Sequence, residues 1–176
     1  SDAVGLVVRG AGNPFFIEIV HAVERAKLTG LLRFNTKVLV QGCGPIGLLF
    51  AQLARASGAR VACVEIKENR MAIARKLGLD VYAAGPDVKE KLIAKGGRRA
   101  NFCIDAAGGQ LVTAIDYAEY RGTILCFAGP RKAKEGWNFS PIQGKELTIM
   151  GSFIINDSMP RAITVLASGI LNLDPR

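Results

Sequence analysis

Three glycines and one acid have the types and spacing to do chemistry. Gly42, Gly44 and Gly47 form a G-x-G-x-x-G turn, and Glu65 stands about 20 residues further on. Such a turn can hold a pyrophosphate on backbone N–H groups. The acid can accept hydrogen bonds from both hydroxyls of an adenosine ribose. Gly42 permits a sharp turn out of a strand because it tolerates φ > 0. Gly44 lacks a Cβ, so its backbone can approach a phosphate closely, and Gly47 lets a helix pack tightly on the strand before it. Pro45 suits the first helical turn, where its missing N–H costs nothing. The exposed N–H groups of that turn, Ile46 among them, and the helix dipole then face the anion.

A lone glycine motif says little, so the elements around it decide. Lys37 to Gln41 is a short apolar run of strand type that feeds directly into the turn. An alanine- and leucine-rich helical pattern from Leu48 to Ala56 follows, and Arg60 to Val64 reads as a second strand ending on Glu65. Strand, glycine turn, helix, strand and acid in that order predict a dinucleotide-binding βαβ unit.

The 176 residues form one domain in this reading, residues 15–176, after a lead-in over 1–14. A hydrophobic fraction of 49% is enough for a core, and no run approaches the ~20 apolar residues of a membrane span. Without a signal pattern at the start, a soluble cytoplasmic protein is expected. Cys43, Cys63, Cys103 and Cys126 are widely spaced and form no C-x-x-C pair, so they read as small buried hydrophobes in a reducing compartment. The net charge of +8 is spread over helix faces, apart from Lys95 to Arg99 and Arg131 to Lys134. Neither cluster carries the interleaved aromatics of a single-strand-binding surface, so no nucleic-acid partner is expected.

The alternation continues along the chain. A helix is expected over Phe15 to Lys27, with Phe16, Ile19, Val20, Val23 and Ala26 at helical spacing and Gly30 as its stop. Beyond the βαβ unit come a helix from Glu68 to Leu77, a strand from Asp80 to Ala84 and a helix from Asp87 to Ala94. A strand from Asn101 to Ala106, a helix from Gln110 to Tyr120 ended by Gly122, and a strand from Thr123 to Phe127 follow. A polar loop from Gly129 to Gln143 leads to a strand over Glu146 to Met150. A last helix runs from Ser158 to Ser168, capped by Asp157 or Ser158 and stopped by Gly169. Leu6 to Val8 is a candidate short strand. This alternation predicts an α/β, doubly wound parallel sheet of six strands, a Rossmann fold with order 3-2-1-4-5-6.

In such a sheet a ligand lies across the carboxyl ends of the strands. The predicted cleft therefore includes Ala106 and Ala107 after strand four, Phe127 and Ala128 after strand five, and Ser152 and Phe153 after strand six. His21, the one histidine, is expected to be a packed structural residue.

Taken together, these stretches resemble the cofactor domain of the medium-chain dehydrogenase/reductase family, and most closely its zinc-dependent alcohol and polyol dehydrogenases. The resemblance rests on Lys37 to Gly47, Glu65 with Arg70, Ala74 to Gly78, Asp105 to Gly108, Gly122 to Gly129 and Lys145 to Phe153. It implies that Gly42, Gly44, Pro45, Ile46 and Gly47 hold a pyrophosphate, with Glu65 and Arg70 at the adenosine ribose. Ala106, Ala107, Phe127 and Ala128 would line the adenine and nicotinamide parts of the cleft. Backbone at Ser152 and Phe153 would meet the carboxamide. It further implies NAD, with NADP less favoured because Glu65 would repel a 2′-phosphate, although Lys67 and Arg70 could pair with one. A homodimer formed through the edge strand 147–152, and an alcohol or ketone substrate in the intact enzyme, are also implied.

The departures from that pattern shape the expectation. Relatives begin with a separate catalytic domain that supplies the zinc ligands, and this chain contains none. Where the third ligand would precede His21 the chain reads Asn13-Pro14, one residue too far away, and Glu18 does not match its position. The expectation is a cofactor domain apart from its catalytic partner, with no catalytic residue and no metal ligand of its own, inactive alone. Two other readings compete: a nucleotide-sensing regulatory module without chemistry, and a methyltransferase binding adenosylmethionine. The motifs after strands four, five and six oppose the first. The helix start aimed at a pyrophosphate opposes the second.

Overall fold

A computed structural model describes residues 14–96, 99–129, 138, 140–152 and 159–172. Its centre is β1 (Lys37–Gln41), in which Val38, Leu39 and Val40 are all buried. Successive side chains point to opposite faces, so burial of all three requires cover on both sides, the mark of a central parallel strand. The other strands are β2 (Arg60–Glu65), β3 (Asp80–Ala83), β4 (Ala100–Asp105), β5 (Ala118–Cys126) and β6 (Thr148–Gly151). They form one sheet in the order β3-β2-β1-β4-β5-β6. Every pairing is parallel, with Val40 beside Cys63 on one side and Ile104 on the other. The predicted order stands.

The helices are α1 (Pro14–Leu28), α2 (Pro45–Ala56), α3 (Glu68–Lys76), α4 (Val88–Gly96), α5 (Leu111–Tyr117), α6 (Ser140–Gly144) and α7 (Met159–Ala167). One face of the sheet offers Val38, Val40 and Ile104 to Ile19, Val20 and Val23 of α1, Phe50 of α2, Ala74 of α3 and Leu166 of α7. The other offers Leu39, Cys103 and Ile124 to Val88 of α4 and Ala114 and Ile115 of α5. All four cysteines are free thiols, and burial pushes Cys103 up to about 12, so it packs as a neutral hydrophobe. Among the described residues no helix is long and apolar enough to cross a membrane.

Three expectations need correction. The helix predicted over Gln110 to Tyr120 stops at Tyr117, and residues 118–120 already belong to β5. Lys145 is the reason: its Nζ donates to the carbonyls of Ile115 at 2.7 Å and Ala118 at 3.3 Å, placing a cation on the helix end. Gly122 is therefore no helix stop. It is a buried strand residue whose Cβ would fall 2.8 Å from the Glu119 carbonyl. The strand predicted over Glu146 to Met150 starts instead at Thr148, because Glu146 takes φ 50° and its carboxylate accepts from Arg121 Nε at 2.8 Å. The stretch read as polar loop holds the short helix α6. The predictions at Leu6 to Val8 and at the Asp157 or Ser158 cap lie outside the described residues.

Candidate functional site at the carboxyl edge

The glycine turn links β1 to α2 as its residue types require. Gly42 has φ +99°, and its N–H donates to the Val64 carbonyl at 2.8 Å, which ties the turn to β2. A Cβ on Gly47 would fall 1.8 Å from the Gly42 carbonyl oxygen, so α2 can start this close to β1 only on glycine. Gly44 is the helix N-cap at φ −69°, with Pro45 as the first helical residue. A Cβ there would meet nothing nearer than Arg70 Nη1 at 3.8 Å. Neither packing nor backbone conformation demands glycine at that position.

The donors of the turn divide into two sets. The Cys43 N–H donates to Glu65 Oε2 at 2.8 Å and the Leu48 N–H to the Gly44 carbonyl at 2.9 Å. The N–H groups of Gly44, Ile46 and Gly47 have no acceptor among the described residues, and no side chain caps the helix. Unfilled donors at a helix start, reached across an open glycine, are the chemistry of an anion cradle.

Glu65 serves the turn itself. Its Oε1 accepts from the N–H of Ile66 at 2.8 Å and of Lys67 at 3.0 Å, while Oε2 takes Cys43 and lies 3.8 Å from Arg70 Nη1. Burial opposes its charge. The three N–H donors and Arg70 outweigh that effect and hold the carboxyl below its usual range. The acid therefore braces the turn from below, and Oε2 keeps one acceptor position.

The other tips converge on the same edge. Asp105 is buried, and its carboxylate accepts from the N–H groups of Ala107 at 3.1 Å, Gly108 at 2.7 Å and Gln110 at 2.7 Å. That folds residues 106–110 into a loop whose Ala107 Cβ lies 3.0 Å from where a Gly42 Cβ would sit. Phe127 and Ala128 donate their N–H groups to the Asp105 carbonyl. The Phe127 ring turns inward onto Phe50, edge to face at 4.8 Å, so it is the backbone at 127 that faces the edge. Ser152 follows β6, its N–H on the Cys126 carbonyl at 3.4 Å. Phe153 lies outside the described residues. A cavity of about 400 Å³ opens beside the turn, lined by Gly44, Pro45, Leu48, Arg70, Ile73 and Asn172 among others.

The roles of three residues at this edge escaped the sequence reading. Asp105 builds the loop after β4; an Asp before small residues is a turn signal that could have shown it. Ile66 is 77% exposed directly after Glu65, an apolar side chain left out of the core at the mouth of the site. Glu18, on the buried face of α1, hydrogen-bonds the Ser152 side chain and leaves Oε1 unpartnered. Burial pushes its carboxyl up, against the pull of Ser152 and His21. Among the described residues no group of His, Cys, Asp and Glu could hold a metal ion.

Comparison with known proteins places this geometry. The profile described as zinc-binding dehydrogenase matches residues 45–168. A sorbitol dehydrogenase of Arabidopsis thaliana is 30% identical over 166 residues, covering 89% of this chain and 44% of that protein. The 2R,3R-butanediol dehydrogenase of Bacillus subtilis superposes with a TM-score of 0.76 at 25% identity, over 90% of this chain and 47% of that one. An Escherichia coli alcohol dehydrogenase solved with NADH superposes at 0.75 and 24% identity, over 92% of this chain and 48% of that one, a likeness of fold. The chain thus spans about half the length of the relatives it matches. With its six-stranded doubly wound sheet, the chain belongs to the zinc-binding dehydrogenase family, of the medium-chain dehydrogenase/reductase type.

Proposed function

We propose that this chain is the NAD(H)-binding half of a polyol- or alcohol-type dehydrogenase. Gly44 carries the reading: a glycine that neither packing nor φ explains, at the mouth of a helix start whose N–H groups lack acceptors. A pyrophosphate would take those donors, and the space of the missing Cβ would let it approach. Glu65 Oε2 has room for one ribose hydroxyl in place of Arg70. Ile66 would give the adenine an apolar face. The backbone at Ala106, Ala107, Phe127, Ala128 and Ser152 would line the remainder, with Phe153 following.

Bound NAD would accept or return a hydride at its nicotinamide ring. This chain's residues would orient the cofactor and hold its phosphates. Zinc and the groups that touch an alcohol or ketone would come from elsewhere in a longer protein, as the identity to sorbitol dehydrogenases supports. NAD is favoured over NADP because the Glu65 carboxylate, held ionised by its donors, would face a 2′-phosphate. Lys67 and Arg70 are the cations that could offset that repulsion. The free cysteines fit a reducing, cytoplasmic setting. The exposed edge of β6, with Ile149 40% exposed, would serve strand-to-strand pairing in a homodimer.

Calorimetric titration with NADH, NADPH and adenosylmethionine tests the reading. NADH should bind best, with NADPH weaker and adenosylmethionine absent. Saturable binding of adenosylmethionine without NADH would sink it.

A further inference from the structure

Five of the basic residues that look dispersed along the chain converge at the opposite edge of the sheet. A cavity of about 330 Å³ opens at the amino-terminal ends of β1 to β4, away from the glycine turn. Lys37, Arg55, Arg60, Lys95 and Arg99 line it, against one carboxylate, Asp80. Asp80 is already engaged by Lys95 Nζ at 2.5 Å. Arg55 is anchored by the carbonyls of Leu77 and Gly78, at 2.7 and 3.1 Å, which fix its position without neutralising it. Five cations against one acid leave the cavity strongly positive.

Its floor is apolar, made by Leu39, Ala62, Tyr82 and Leu92. The space exists because α4 leaves the sheet as it runs: Val88 is fully buried, Leu92 only partly, and Ile93 is 39% exposed. Arg99 is the cation of the set whose partners within the fold are incomplete. Its Nε is shut off from solvent and has no hydrogen-bond partner. Its backbone N–H is held by the Glu119 carboxylate at 3.2 Å, so the residue is tethered while its guanidinium lacks an acceptor. A buried donor without an acceptor is costly, and more so when charged.

We propose that this cavity is a second ligand site, for a small organic anion distinct from the dinucleotide. Its phosphate or carboxylate head meets Arg99 and Arg60, whose guanidinium groups suit paired oxygens. Its flat apolar body lies on Tyr82 and Leu92. The volume is at the small end of the range for small-molecule sites, which suits one or two rings. The excess positive charge draws the anion in.

The probe is 1-naphthyl phosphate, followed by amide shifts in the isotopically labelled chain. Saturable shifts are expected at Arg60, Val61, Ala62 and Ala100, with inorganic phosphate and 1-naphthol each binding at least tenfold more weakly. Arg99→Gln should weaken binding at least tenfold while leaving Tm unchanged or higher, because it removes a buried donor, Nε, that has no partner. Arg60→Gln, at an exposed strand end, should weaken binding about threefold by loss of one charge-assisted contact, and it decides the matter if Arg99→Gln does not fold. Shifts confined to Gly42 to Gly47, 1-naphthol binding as tightly as its phosphate, equal binding by the folded variants, or no saturable binding would each overturn the proposal.

Discussion

The two edges of the sheet attract negative charge by different means. At the carboxyl edge the attraction comes from backbone: the N–H groups of Gly44, Ile46 and Gly47, with open space at Gly44 where a side chain would stand. At the amino edge it comes from side chains, five cations around an apolar floor. A backbone cradle depends on local conformation, so its residues must be adjacent and their types are constrained. A side-chain cavity depends only on where strands begin, so its residues can come from anywhere. One edge is built from a single turn, the other from positions 37, 55, 60, 95 and 99.

That difference can be broken by substitution, and the largest effect belongs to Gly47. In Gly47→Ala the new Cβ has backbone 1.8 Å away and nothing flexible to move, so α2 must shift off β1. A stability loss of about 3 kcal/mol, at the upper end for overpacking, is expected in urea unfolding. An unchanged midpoint would show that the turn is looser than its geometry.

Glu65→Ala comes next. It leaves the N–H groups of Cys43, Ile66 and Lys67 without their acceptor. Unfolding should become easier by roughly 2 kcal/mol, and NADH should lose more affinity than NADPH. Equal loss for both cofactors would remove Glu65 as the basis of preference.

The smallest effect separates the two buried carboxylates by pH. Glu65 is depressed below its usual 4.5, so its stabilisation is present above that value and is lost as pH falls through its lower folded value. Glu18 is raised above 4.5, so its contribution is full below that value and is lost as pH rises through its higher folded one. Glu18→Gln keeps a partner for Ser152 and removes the ionisation. Its stability profile should therefore lose the decline above pH 4.5 that the parent shows. Parallel profiles for parent and variant would mean that Glu18 ionises freely.

Legibility in the sequence followed the same division. The glycine turn, Glu65 and the strand order could be read because each is carried by neighbouring residues with a fixed period. The helix end at Tyr117 could not be read, because Lys145 sets it from 28 residues away. Glu146 likewise left its predicted strand through a contact with Arg121 that no local pattern announces. Glu65 was placed correctly in sequence, but its role under Cys43 was visible only once β2 lay beside β1. Phe127 was expected to line the cleft, and Phe50 drew its ring inward.

Gly44 offers the most direct test, because neither packing nor backbone conformation requires glycine there. NADH titration of the parent chain and Gly44→Ala should be run beside thermal unfolding of both. With open space around the new Cβ, the loss of Tm should be no more than the small cost of Ala at a helix N-cap, while NADH affinity falls at least tenfold, about 1.4 kcal/mol. Unchanged NADH affinity in a folded Gly44→Ala protein, or no NADH binding by the parent chain, would contradict a pyrophosphate cradle at this turn.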